Sequence, residues 1–232
     1  SVEEVASGEA SQDVLLAGLF SKVNFLDILQ HFTIFEPVDG RILKKIPRYQ
    51  QFRAVHKTIK RLKSGATPKE KSGVIWHTQG SGKSLTMVFL TVKMRRDPEL
   101  QSYKLVFLTD RKQLDNQLTS TFKNAQDETV HHADSVESLK ELLATDTSDI
   151  VTAMVQKFQE RSEGFDFPVL NESEKIIVLA DEAHRTQYGA LGAAINTAIP
   201  NAPRIAFTGT PLIKSQKTAS TFGSYIDTYT IE

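Results

Sequence analysis

Apolar residues in this chain fall into short unbroken runs, and the stretches between them carry apolar residues at helical spacing. Gly73-Val74-Ile75-Trp76, Lys104 to Thr109, Ile176 to Ala180 and Arg204 to Phe207 read as interior strands, because a strand covered on both faces needs no polar alternation. Asp149 to Val155, a shorter segment around Glu128 to Val130, and Tyr225 to Ile231 add further strand signals. Pro47 opens a helix with Phe52, Val55, Ile59 and Leu62 on one face, closed by the Ser64-Gly65 break. Leu85, Val88, Phe89 and Val92 mark a second helix, stopped by Asp97-Pro98. Others are predicted over Arg111 to Lys123, over the stretch carrying Val136, Leu139 and Leu143, and from Tyr188 to Ile199. Strands alternating with helices at this spacing predict an α/β fold with a parallel, doubly wound sheet and helices on both faces. Ahead of it, Leu15, Leu16, Leu19 and Phe20, then Phe25, Leu26, Ile28 and Leu29, predict one or two short amphipathic helices packed on the main domain as a connector. A strand and turn are expected between Phe32 and Ile42, broken by Pro37 and Gly40. Ala66 to Ser72 and Arg161 to Glu174 read as loops.

The totals narrow the possibilities. A chain of 232 residues, 40% hydrophobic, supports one well-buried core. Lys+Arg and Asp+Glu balance at 28 each, so nucleic-acid binding, if present, must use a local groove rather than a global basic field. The chain has no cysteine, which excludes disulfides, thiolate chemistry and cysteine zinc sites and suits a reducing cytoplasm. No apolar run has the length of a membrane span and no signal pattern opens the chain, so no membrane partner is expected. The chain starts at Ser1 without methionine and stops just after a strand-like run, which reads as a piece of a larger protein.

The chemistry centres on His77-Thr78-Gln79-Gly80-Ser81-Gly82-Lys83-Ser84, set between an apolar strand and an amphipathic helix. Strand, glycine loop and helix together form a phosphate loop (P-loop): the glycines let successive N–H groups point inward and the helix adds the positive end of its dipole. Lys83 then brings a cation to the β/γ-phosphates and Ser84 a hydroxyl to Mg²⁺. Where the usual pattern has its first glycine, five residues before the second, this sequence has His77. After the strand Ile176 to Ala180 stand Asp181-Glu182-Ala183-His184, at the end of a sheet where open α/β folds bind ligands. Asp181 is placed to hold Mg²⁺ and Glu182 to orient and deprotonate an attacking water, two tasks that phosphoryl transfer keeps on separate carboxylates. His131-His132 with Asp134 read as surface residues rather than a metal cluster, since neighbours on a strand point to opposite faces.

Gly80-Ser81-Gly82-Lys83-Ser84, Asp181-Glu182-Ala183-His184 and Thr208-Gly209-Thr210-Pro211, in that order, resemble motifs I, II and III of superfamily 2 helicases and translocases. The flanks, Arg48-Tyr49-Gln50-Gln51, Trp76-His77-Thr78-Gln79 and Asp110-Arg111-Lys112-Gln113-Leu114-Asp115-Asn116-Gln117, are similar to the motor of the restriction subunit of type I restriction-modification enzymes. That resemblance implies a RecA-like P-loop NTPase fold, ATP and Mg²⁺, and double-stranded DNA moved by ATP hydrolysis before a separate nuclease domain cuts. It also implies methyltransferase and specificity subunits as partners, together with the remaining domains of the restriction subunit. Residues 1–40 are then the connector from a nuclease domain, and residues 41–232 the first RecA-like motor domain. By the same resemblance Gln51 reads adenine, Thr78 to Ser84 hold the nucleotide, and His184, Thr208 and Thr210 couple the γ-phosphate to domain motion. Thr109, Arg111 and Gln117, with Thr152, Gln156 and Lys157, become DNA contacts. Two rival readings are another superfamily 2 DNA or RNA helicase and a non-catalytic nucleotide-binding module.

Overall fold

The structure is a computed structural model that describes residues 11–38, 40–109, 114, 116, 119, 121–122, 130–154, 167–181, 188–210 and 222–230. The chain divides into two compact units, residues 1–47 and 48–232. The first holds α1 (Ser11–Phe20), α2 (Lys22–His31) and an antiparallel hairpin of β1 (Ile34–Val38) and β2 (Arg41–Lys45). Ser21 caps α2 by accepting from the Asn24 N–H, and Gly40, at φ 75°, turns the hairpin. Phe20, Val23, Leu26, Phe35 and Ile42 leave large apolar side chains exposed in this unit.

The second unit contains α3 (Tyr49–Ser64), α4 (Pro68–Lys71), β3 (Gly73–His77), α5 (Lys83–Arg95), β4 (Lys104–Thr109), β5 (Val130–Ala133), α6 (Val136–Ala144), β6 (Ile150–Met154), β7 (Ile176–Asp181), α7 (Tyr188–Ala198), β8 (Arg204–Thr208) and β9 (Tyr225–Tyr229). Among the described residues seven strands form one sheet in the order β5-β6-β4-β7-β8-β3-β9, and every pairing in it is parallel. Every residue of β4 and β7 is buried; since alternate side chains point to opposite faces, the sheet is covered on both. Val106, Leu108, Val178, Ala180 and Ile195 belong to the resulting core. Of the face its spacing predicts, helix α3 buries Val55, Ile59 and Leu62 and half-buries Phe52, with Ala54 and Thr58 buried beside them; a buried Leu or Ile contributes about 1.5–3 kcal/mol.

Two local expectations are corrected. Helix α3 begins at Tyr49 rather than Pro47, because Arg48 stays extended and its N–H is taken by the Gln51 side chain at 2.8 Å. The expected loop from Ala66 to Ser72 contains α4, one turn started by the Thr67 hydroxyl accepting from the Glu70 N–H and by Pro68 in the first position, too short to show a period. The strand expected around Glu128 to Val130 meets β5, described from Val130 to Ala133; it lies at the sheet edge, where a half-covered strand carries polar His131 and His132. Leu114, Asn116, Thr119, Thr121 and Phe122 are helical, inside the helix expected from Arg111 to Lys123.

Candidate functional site

Parallel strands end on one edge, so β7, β8 and β3, adjacent in the sheet, deliver Asp181, Thr208 and His77 to the same side. The register places Phe207 opposite Asp181 and Thr208 opposite Trp76. From His77 the chain turns through Thr78 to Gly82 into α5. Gly80 and Gly82 have φ of 82° and 83°, a left-handed conformation that side chains disfavour. At Gly82 a Cβ would also stand 2.5 Å from the Gln51 amide nitrogen, so a larger residue there would have to push that side chain aside.

Lys83, the first residue of α5, is only 4% exposed; its Nζ donates to the His77 carbonyl at 3.2 Å. The backbone of Gly209 lies against it, since a Cβ there would be 3.3 Å from Nζ. The Thr-Gly-Thr segment therefore abuts the phosphate loop. Trp76 Nε1 reinforces that approach by donating to the Gly209 carbonyl at 3.3 Å. Thr208 and Thr210 form a local turn: their hydroxyls are 3.2 Å apart, and the Thr210 N–H donates to the Thr208 hydroxyl. Asp181 is 4% exposed at the end of β7.

The loop is also held from α3. Gln51 Nε2 donates to the Gly82 carbonyl at 3.0 Å, and the Gln50 amide reaches the Ser81 carbonyl at 3.5 Å. A charged cluster went unread in the sequence: Asp227 of β9 accepts from His77 Nε2 at 2.8 Å, from Arg53 Nε and Nη2 at 2.9 and 3.0 Å, and from Lys57 at 3.0 Å. Burial alone would raise the Asp227 carboxyl, but these hydrogen bonds from His77, Arg53 and Lys57 outweigh it and hold it below the usual carboxylate range. A lone acid inside the apolar run Tyr225 to Ile231 was the available signal.

The loop fits a phosphate ligand. The Thr78 and Ser81 hydroxyls are buried and make no hydrogen bond among the described residues, as expected of donors kept for a ligand. Ser84 and Asp181 supply a hydroxyl and a carboxylate, the donor set Mg²⁺ uses with phosphate oxygens and water. No three His, Asp or Glu residues gather as a metal cage among the described residues, and a cation shared with phosphate needs none. His132 Nδ1 lies 2.8 Å from the Thr152 hydroxyl and His131 Nε2 lies 3.7 Å from Asp149.

Of the residues expected to touch DNA, Thr109 and Thr152 are buried, at 0% and 3% exposure, and Thr152 is bonded to His132. Thr109 closes β4 and Thr152 lies in the middle of β6. Glu182, His184, Arg111, Gln117, Gln156, Lys157 and Pro211 lie outside the described residues.

Sheet order, glycine loop and buried lysine define a RecA-like α/β protein with a P-loop. Residues 50–232 match the profile of the SWI2/SNF2 ATPase family, and the chain belongs to that family. The endonuclease subunit of the type I restriction enzyme MjaIXP from Methanocaldococcus jannaschii is 41% identical over 228 residues, covering 96% of this chain and 21% of that protein. The HindI endonuclease subunit from Haemophilus influenzae is 36% identical over 238 residues, covering 94% of this chain and 23% of that protein. The chain thus spans about a fifth of the length of these curated relatives. A fragment of a type I restriction enzyme HsdR subunit from Vibrio vulnificus has the same fold, with a TM-score of 0.53 at 20% identity, over 94% of this chain and 35% of that one.

Proposed function

We propose that this chain is the ATP-binding half of a motor that moves double-stranded DNA within the endonuclease subunit of a type I restriction enzyme. The observation that carries the reading is Lys83, buried between the phosphate loop and Gly209 on the sheet edge where Asp181 ends β7. The names of the relatives at 36–41% identity support the restriction system as its setting. Lys83 binds the β/γ-phosphates, the loop N–H groups and the hydroxyls of Thr78 and Ser81 wrap them, and Gln51 fixes the loop from behind while reading the base. Ser84 and Asp181 would hold Mg²⁺, which when bound neutralises charge on the phosphate oxygens. Glu182 orients and deprotonates the attacking water, and His184, Thr208 and Thr210 transmit the state of the γ-phosphate. Arg111, Gln117, Gln156 and Lys157 contact the DNA backbone.

Residues 1–40 serve as the connector to a nuclease domain, and methyltransferase and specificity subunits complete the assembly. The setting is the cytoplasm; no helix among the described residues is long and apolar enough to cross a membrane. A second RecA-like domain supplies the arginines that complete the ATP site, so the 232-residue chain alone turns over ATP feebly. The test is ATPase activity of the full-length polypeptide with duplex DNA, single strands and RNA, before and after Glu182→Gln. Stimulation by duplex DNA that the substitution abolishes is expected. A response to RNA alone, or activity that survives the substitution, overturns the reading.

A further inference from the structure

We infer that Asp227 is a positioning residue for the phosphate loop, acting through the His77 ring. His77 stands where the usual loop has a glycine with no side chain to hold. Here the ring is fully buried, and because a carboxylate can only accept, its Nε2 carries the proton shared with Asp227 Oδ2. The carbonyl of the same residue receives Lys83 Nζ. One residue therefore carries both an anchor and a seat for the loop cation. Strand β9 adds two further ties: the Thr78 N–H donates to the Tyr229 carbonyl at 3.0 Å, and the Tyr229 ring meets the His77 ring edge-on at 5.8 Å.

Asp227 is fixed in turn. Arg53 grips both of its oxygens and donates to the Thr228 carbonyl at 2.7 Å, and Lys57 adds a second cation. Since α3 also carries Gln51, the two ends of the loop are set from one helix: Gly82 directly, and His77 by way of Asp227. A buried ionic cluster is a poor source of net stability, because desolvation cancels much of the attraction. What it supplies here is a fixed geometry for the residue that opens the loop.

The affinity arm of the test rests on the nucleotide reading above; the exchange arm does not. A non-hydrolysable ATP analogue with Mg²⁺ is titrated calorimetrically into the wild-type chain, Asp227→Asn, His77→Gly and the double variant, and amide exchange over residues 78–83 is followed without nucleotide. Asp227→Asn is expected to weaken binding about tenfold, the scale of one lost charged hydrogen bond, and to speed exchange in the loop. In the His77→Gly background the same change is expected to add less than about twofold, the scatter of independent sites. His77→Phe, which keeps Asp227 on Arg53 and so guards against a misfolded Asp227 variant, is expected to reproduce the loosened loop. Wild-type affinity and exchange in Asp227→Asn or His77→Phe overturn the inference. So does an equal effect of Asp227→Asn in both backgrounds, which would make Asp227 a strut between α3 and β9. Absence of nucleotide binding by the wild type sinks the functional reading instead, and the exchange pattern still decides the role of Asp227.

Discussion

Helix α5 begins and ends on a cation, and the two ends treat it in opposite ways. Arg95, its last residue, sits where the negative end of the helix dipole favours it and donates to the carbonyls of Gln101, Tyr103 and Ser148. It ties the helix to the segments entering β4 and β6. Lys83, the first residue, is buried at the positive end of the same dipole, where a cation is disfavoured, and rests on the His77 carbonyl. Stability explains Arg95 and does not explain Lys83. A buried cation at the wrong end of a helix makes sense when an anion is to arrive there, and the phosphate loop around it is built for one.

The contrast can be broken by experiment. Lys83→Ala is expected to lower nucleotide affinity by about a hundredfold or more while leaving stability unchanged or raised by up to about 1 kcal/mol, the scale of a helix-end charge. Calorimetric binding and urea melts read both quantities. Arg95→Met is expected to do the reverse, costing about 1–3 kcal/mol as three carbonyls lose a charged donor, with affinity held in the folded fraction. If Arg95→Met alters affinity as much as Lys83→Ala does, the two ends are not separate in role.

The smallest effect concerns acid. The Asp227 carboxyl is held below its ordinary value of 3.8, so the stability it contributes is complete above that value and is lost as pH falls through the lower folded one. The stability gap between the wild type and Asp227→Asn is therefore expected to stay level at neutral pH and to narrow below about pH 4, in denaturant melts at stepped pH. A gap that widens on acidification contradicts the sign.

Much of this arrangement could be read from order along the chain, for a physical reason. A strand covered on both faces must be apolar throughout, so β4 and β7 stood out as runs, and the residues after β3 and β7 fell at the ligand end of a parallel sheet. Edge strand β5 lacked that mark because half of it meets water. Helix α4 was hidden because four residues hold barely one turn. Asp227 escaped because its meaning lies in partners far away in sequence: His77, brought to it by the β3–β9 pairing, and Arg53, brought by the packing of α3 on β9. That Thr109 and Thr152 are buried carried no signal, because a threonine in a strand reads the same in sequence whether it is exposed or covered.

Trp76 is the only tryptophan in the sequence, and it sits one residue before the loop with its indole N–H on the Gly209 carbonyl and its ring 5.8 Å from that of Tyr225. The chain therefore carries its own optical gauge. Any displacement of the Thr208–Thr210 turn removes a hydrogen bond from a single emitting indole, so the emission of the unlabelled protein tracks that turn in real time.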